Sequence, residues 1–420
     1  MDTAPVKRRE IFGWCCFDFA NSAFTTIIIT VVYAVYFRQV VAGGEVRAIS
    51  WWGTALAISQ VMVIVLSPWV GAVADFTARK KPFLLATALL CAVATAALAL
   101  AGPGHVALAL VLVVAANVAF ALSENLCASF LPEISTPANV GRISGYGWSF
   151  GYFGGLLSLV LAWLIMGSGE GRVPWTFVMT GAFFLLGCTP TLLFLRERAV
   201  PRALPSGRSY LAAGWAANLA TLRDLPRHRT LAVFFAAFTL YIAGLYAVIA
   251  FAASFANDVL RFTMTENVVF FAVLQVTSAL GAFAFGFLQD RIGPKATLLL
   301  ALVLWLVVSL WAWQCETKLQ FYIIGCLAGV GLGSLQSASR AVVSTLTPPG
   351  RSGEFFGFWG LFGKLGGAIG SISMGYSAAA FGFRSAVLIN GLLFVGGLVL
   401  LALIRLPGPA GKARNATVAA

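Results

Sequence analysis

Charged side chains are scarce in this sequence, and several of them interrupt apolar runs long enough to cross a membrane. Asp18, Asn21, Ser22 and Thr25 stand at i, i+3, i+4 and i+7, one continuous polar stripe. Asn117, Glu124 and Asn125 share a face of a later run, and Gln336, Arg340 and Ser344 stack at i, i+4 and i+8 of another. Lys364 lies deep in a further run. An ionisable residue at the centre of a membrane helix costs roughly 2.5–3.5 kcal/mol on insertion scales, so it pairs or faces a cavity. Two carboxylates in a low-dielectric cavity repel each other, and a group poised that way can exchange a proton.

Anions in the first half (Asp18, Glu124) against cations in the second (Arg340, Lys364) have three readings. They suit a zwitterion or carboxylate held between them, the planar Arg340 fork gripping it through two hydrogen bonds. They equally suit a gate in which Asp18 or Glu124 pairs with Arg340, or salt bridges that only hold helices together. Tyr241 and Tyr246 offer hydroxyls or ring faces to a solute, although aromatic residues in membrane helices commonly serve packing.

A second constellation is Gly71–Lys81, GAVADFTARKK, which recurs in altered form at Gly286–Lys295, GFLQDRIGPK. Asp75 and Asp290 align at an offset of 290 − 75 = 215, about half the chain. Gly-x-x-x-Asp at a helix end lets neighbouring backbones approach and leaves a carboxylate at the rim, with cations in the loop behind it. A second repeat, GYGWSFGYFGG from Gly145 against GFWGLFGKLGG from Gly357, has an offset of 212 and brings Gly151, Gly154 and Gly155 onto Gly363, Gly366 and Gly367. The same pieces in both halves predict a duplicated unit.

The elements that must position these residues are membrane helices. The 420 residues are 60% apolar and 10% charged, against about 25% charged in soluble domains. On a ruler of about 20 residues per crossing the expected spans are 11–38, 51–74, 82–101, 106–130, 141–166, 173–195, 230–256, 266–289, 295–313, 320–345, 353–380 and 384–404. The first is read as an uncleaved span, since it is too long for a signal-peptide core. The net charge of +13 sits in loops. Twenty cations, Arg79, Lys80, Arg142, Arg291 and Arg351 among them, fall on the side of the first residues and six on the other, which predicts both termini in the cytoplasm. That placement leaves the excess cation no nucleic-acid role. The seven cysteines have no metal or CxxC spacing and read as small buried residues.

The expected organisation is a first six-helix bundle over 1–195, a linker over 196–229, a second bundle over 230–405 and a tail over 406–420. Leu211, Trp215, Leu219 and Leu222 have helical spacing within the linker, which is either an amphipathic helix on the membrane surface or a plain connection.

The paired Gly-x-x-x-Asp loops resemble the signature of the major facilitator superfamily. The first copy departs from it, with Phe76 and Ala78 where Arg and Gly are usual. Asp18-Phe-Ala-Asn-Ser-Ala-Phe24, Phe130-Leu-Pro-Glu-Ile134, Gly141-Arg-Ile-Ser-Gly145, Arg351-x-x-Glu354-Phe-Phe-Gly357 and Gly382-x-Arg384-Ser385 resemble the unknown major facilitator family, bacterial relatives of the autophagy-linked vacuole effluxers. The resemblance covers nearly the whole chain. It implies an all-α fold of twelve transmembrane helices in two pseudo-symmetric six-helix bundles, with helices one, four, seven and ten around a cavity. It also implies that Asp75 meets the start of span eleven near Arg351 and Gly353, and that Asp290 meets the start of span five near Arg142. Arg79, Arg291 and Glu354 complete the gate set.

The reading is a monomeric secondary transporter in a bacterial inner membrane, moving a small polar or zwitterionic solute such as an amino acid, with protons as a candidate coupling ion. Its partners are the solute and the lipid bilayer. No cofactor is expected, and with no GxxxxGK[ST] loop any pumping must use ion gradients or the solute's own gradient. A non-transporting receptor or scaffold, or a polytopic membrane enzyme, are the alternatives. The enzyme reading lacks an HExxH, GxSxG or paired-histidine motif.

Overall fold

The computed structural model describes residues 5–45, 47–167, 171–201, 209–225, 229–406 and 408. The tail beyond 408 and the linker stretches 202–208 and 226–228 lie outside the described residues. Among the described residues there is no strand. In hydrocarbon every backbone N–H and C=O must be satisfied within its own segment, and a helix does that.

The helices are α1 (Arg8–Val41), α2 (Ala48–Thr77), α3 (Lys80–Ala97), α4 (Val106–Ala128), α5 (Val140–Gly167), α6 (Val173–Phe194), α7 (Tyr210–Asp224), α8 (Arg229–Leu260), α9 (Met264–Ile292), α10 (Pro294–Trp313), α11 (Lys318–Leu346) and α12 (Ser352–Ala402). All but α7 are long and apolar enough to cross a membrane, which makes eleven candidates among the described residues. The twelfth crossing is inside α12. Its 51 residues are broken at Gly382, where φ 77° and ψ 162° leave the helical region, and 51 residues at about 1.5 Å each exceed two bilayer cores. The expected boundary between spans eleven and twelve, 380 to 384, brackets that glycine.

Residues Thr25–Val31 and Phe37–Val41 of α1 are π-helical, with i to i−5 closures from Val32 N–H to the Ile27 carbonyl and from Ala42 N–H to Phe37. The first coincides with an unbroken run of β-branched residues, Thr25 to Val32, whose branches crowd the preceding turn of a normal helix. The sequence pattern had no signal for this widening.

The chain divides into two compact units that interleave along the sequence, 1–134 with 150–218 and 348–360, and 135–149 with 219–347 and 361–420. In the first, α1 packs on α6, and α4 on α2 and α3. In the second, α11 packs on α9 and α10. Small residues set these distances. A Cβ on Gly154 would collide with the Phe19 carbonyl of α1, and one on its repeat counterpart Gly366 would come 2.7 Å from the Thr239 carbonyl of α8. The glycines of the second repeat therefore do the same job in each unit, α5 on α1 and α12 on α8. Gly329, Gly331 and Gly333 of α11 meet Thr277, the Trp305 indole and the Ser278 carbonyl.

Gly154→Ala therefore overpacks the α1–α5 seam at a cost of about 1–3 kcal/mol, while Gly102→Ala, with no atom within 4 Å of its Cβ position, is neutral. Thermal unfolding in detergent separates them. Equal midpoints would contradict the packing assignment.

Candidate functional site

The Asp75 end of α2 carries the densest chemistry. Helix α2 stops because Ala78 is left-handed, at φ 52°, a conformation that glycine adopts more readily. Gly71 lies one turn before Asp75 and directly against Gly353. A Cβ on either glycine would collide with the backbone of the other. That approach lets the Asp75 carboxylate reach the first turn of α12, where it accepts hydrogen bonds from the N–H groups of Gly353 and Glu354, both at 2.8 Å. These N–H groups have no partner within their own helix, and the helix dipole favours an anion there.

Behind Asp75 lies a connected run of buried charges. Lys80 is 1% exposed, so it is a core residue and not one of the loop cations among which the charge count placed it. Its ammonium donates to Glu133 Oε1 at 2.6 Å, to the Ser129 carbonyl at 3.1 Å and to Ser352 Oγ, and lies 4.0 Å from Asp75 Oδ1. The other oxygen of Glu133 accepts from the Arg198 N–H at 2.9 Å. The Arg198 guanidinium meets Glu10 Oε2 at 2.7 Å. Glu354, fully buried, receives the Arg351 fork at 2.9 and 2.8 Å. Arg79 is exposed and has no ion pair among the described residues, so Lys80 holds the place expected of Arg79.

The second copy keeps the architecture and lacks the depth. Gly286 lies against Gly141, and Asp290 accepts from the N–H groups of Gly141 at 2.9 Å and Arg142 at 3.3 Å. The Arg142 side chain, 44% exposed, is 3.7 Å from the carboxylate. Arg291 is exposed. Lys295, at the position equivalent to Lys80, donates instead to the carbonyls of Ala402 and Ile404 at the end of α12.

Inside the spans, Asp18 and Asn21 are buried, and Gly151 seats α5 beside Asp18. The hydroxyls of the stripe turn back on their own helix, Ser22 to the Asp18 carbonyl and Thr25 to the Ser22 carbonyl. Glu124 is half-buried. Asn125 donates to Ser67 Oγ at 2.6 Å and Asn117 to Ser59 Oγ at 2.6 Å, so these amides join α4 to α2. Arg340 is 2% exposed. It donates to Ser144 Oγ and the Ser144 carbonyl at 3.1 and 2.8 Å and lies over the Trp148 ring. Gln336 is half-buried. Tyr241 is wholly buried with its hydroxyl bonded to Ser339 at 2.8 Å, while Tyr246 is 39% exposed. Lys364 stands apart, half-buried within α12 and without an ion-pair partner among the described residues.

Sequence reasoning missed Glu10, Glu133 and Arg198. Their signal was scarcity. With 15 acidic residues in the whole chain, a glutamate at each end of an apolar run needs a cation, and buried charges are found paired.

Residues 6–140 and 135–412 match the family described as vacuole effluxer Atg22-like. The chain is 26% identical over 408 residues to "Uncharacterized MFS-type transporter YxiO" of Bacillus subtilis (strain 168), covering 93% of this chain and 94% of that one. Its fold is that of the human organic anion transporter MFSD10 (TM-score 0.76, 17% identity, 95% of this chain and 100% of that one). It is equally that of the proton:xylose symporter XylE (TM-score 0.75, 14% identity, 96% of each). These proteins are transporters and not enzymes, and two six-helix bundles of the major facilitator type account for the paired loops. The chain is an integral membrane protein of the Atg22-like vacuole effluxer family, within the major facilitator transporters.

Proposed function

We propose that this protein is a secondary transporter of a small polar or zwitterionic solute, amino acids being the first class to test, coupled to protons and working by alternating access. The observation that carries the substrate class is Lys364. A cation within a membrane span, half-buried and without an ion-pair partner among the described residues, has the chemistry to receive a carboxylate. The human protein of like fold is described as an organic anion transporter, which is in keeping with that chemistry. Asp18 and Glu124 are the proposed proton-carrying groups. Arg340, committed to Ser144 and Trp148, is proposed as a support for α11 beside the site. The chain acts as a monomer with both termini in the cytoplasm, in a bacterial inner membrane. Its two six-helix halves, 1–195 and 230–405, rock about the linker 196–229.

Asp75 and Asp290 are proposed as gate latches. Each holds the N-terminus of another helix through two backbone N–H groups, a contact that can be made and released as a unit. Hydrogen bonds to a charged group contribute about 1.5–3 kcal/mol, so Asp75→Asn shifts the open–closed balance by roughly tenfold or more. Asp290→Asn, at a side chain 12% exposed against 1% for Asp75, shifts it less. Transport falls in both variants while substrate binding, read by thermal shift, is retained. Equal loss of binding and transport would move these residues into the substrate site.

Two variants separate recognition from coupling. Lys364→Ala weakens the affinity for a carboxylate-bearing solute in a screen of amino acids, peptides and sugars, with unfolding checked independently. Glu124→Gln abolishes pH-gradient-driven uptake into proteoliposomes and leaves substrate counterflow, which needs no net proton movement. Unchanged affinity in the first, or a wild type indifferent to a pH gradient, would overturn the corresponding half of the proposal.

A further inference from the structure

Helix α7 leaves a row of large apolar side chains in the open. Leu211, Trp215, Leu219 and Leu222, at i, i+4, i+8 and i+11, are 54%, 55%, 43% and 44% exposed. Ala213, Gly214 and Thr221, which lie off that row, are buried. The helix is therefore held along one side and bare along the other, and the bare side is the hydrophobic one.

Two contacts fix its level. Trp69 of α2 donates its indole N–H to the Leu211 carbonyl at 3.0 Å, and Gly214 packs on Val73 so closely that a Cβ would come 2.9 Å from the valine methyl. Trp69 lies eight residues before the end of α2 at Thr77, about 12 Å along the axis. A 30-residue helix is about 45 Å long and overhangs a hydrocarbon core of about 30 Å. Trp69 thus falls within about one turn of the boundary, where indoles collect. A helix bonded at that level, with leucines and a tryptophan facing away from the protein, has the acyl–headgroup boundary next to it.

Charge selects among lipids. Arg223 follows Leu219 by one turn, adjoins Leu222 and is exposed, so its stem can lie along the apolar row while the guanidinium reaches a phosphate. The whole stretch 196–229 holds seven arginines against Glu197 and Asp224. An amphipathic helix with arginines at its margin binds through apolar burial plus attraction to anionic headgroups.

We infer that α7 is a docking surface for the bilayer itself, its Leu211–Trp215–Leu219–Leu222 row inserted at the boundary and Arg223 on the phosphate of an anionic phospholipid. Because α7 lies in the segment joining α6 to α8, the lipid composition under it regulates how freely that segment moves.

The test is hydrogen exchange of the full chain in nanodiscs of phosphatidylcholine with and without phosphatidylglycerol. Amides of 210–224 exchange several-fold more slowly with phosphatidylglycerol, and the difference shrinks at high salt. Arg223→Ala removes most of the difference, and Trp215→Glu with Leu219→Glu removes the protection in both lipids. Equal exchange in the two lipids would overturn the anionic part. Protection that persists in detergent, or that appears only in discs shown by mass photometry to hold two chains, would assign the face to the protein or to a second copy instead. If the double glutamate variant fails to insert, the wild-type lipid and salt comparison and Arg223→Ala decide alone.

Discussion

A lysine and a glutamate removed from water cannot be left single, and the Asp75 end of this protein is arranged around that constraint. Desolvating each ion costs several kcal/mol, which only close pairing and saturated hydrogen bonding offset. Lys80 meets the condition with all three protons, on Glu133, the Ser129 carbonyl and Ser352. Glu133 meets it with both oxygens, one on Lys80 and one on the Arg198 N–H. Four separate stretches of chain are thereby fixed relative to one another: the start of α3, the turn after α4, the segment after α6 and the first turn of α12. The Gly71–Gly353 contact is a consequence, since only backbone-to-backbone approach brings Asp75 and Ser352 within reach of the same ammonium.

The duplicated loop shows what this constraint adds. Both copies have glycine four residues before the aspartate, and both aspartates accept from two backbone N–H groups at a helix start. Among the described residues only the first is backed by a buried ion pair. At the second, the equivalent lysine, Lys295, closes the carbonyl end of α12, and the task that Lys295 performs there is performed in the first half by Lys81 on the Leu195 carbonyl of α6. One duplicated basic cluster thus supplies a helix cap in both halves and a buried ion pair in one.

The spans were legible in the sequence from run length, and the duplicated Gly-x-x-x-Asp loops from their matching offsets, while the helix starts that the two aspartates meet came from the resemblance of those loops to the major facilitator signature. Side-chain commitments were not legible. Lys80 sits between Arg79 and Lys81, and nothing in three consecutive cations says which one turns inward; the left-handed Ala78 decides it by redirecting the chain. Arg340 has the composition of a ligand, and two of its nitrogens donate to Ser144, 196 residues away. Tyr241 reads as a hydroxyl for a solute, yet Ser339 takes it. In each instance the missing information is a non-local partner, which periodicity along one helix cannot supply. The π-helical stretch of α1 was missed for a different reason, since β-branched runs are ordinary in membrane helices.

Within the proposed cycle, ions are better material for a latch than an apolar seam would be. Separating buried hydrocarbon surfaces into water costs about 25 cal/mol for every Å² exposed, and nothing in water returns it. Separating α12 from α2 exposes Asp75, Lys80 and the helix N-terminus together, and each gains hydration as it loses a partner, so the large Coulomb and desolvation terms fall together. The contact is specific when closed, because two N–H groups and one carboxylate must align, and it stays reversible on opening. The Asp290 latch, whose Arg142 partner is 44% exposed and already hydrated, has less to gain and less to lose. Within that proposed cycle the Asp75 contact, backed by Lys80 and Glu133, is the larger barrier to opening and the Asp290 contact the smaller.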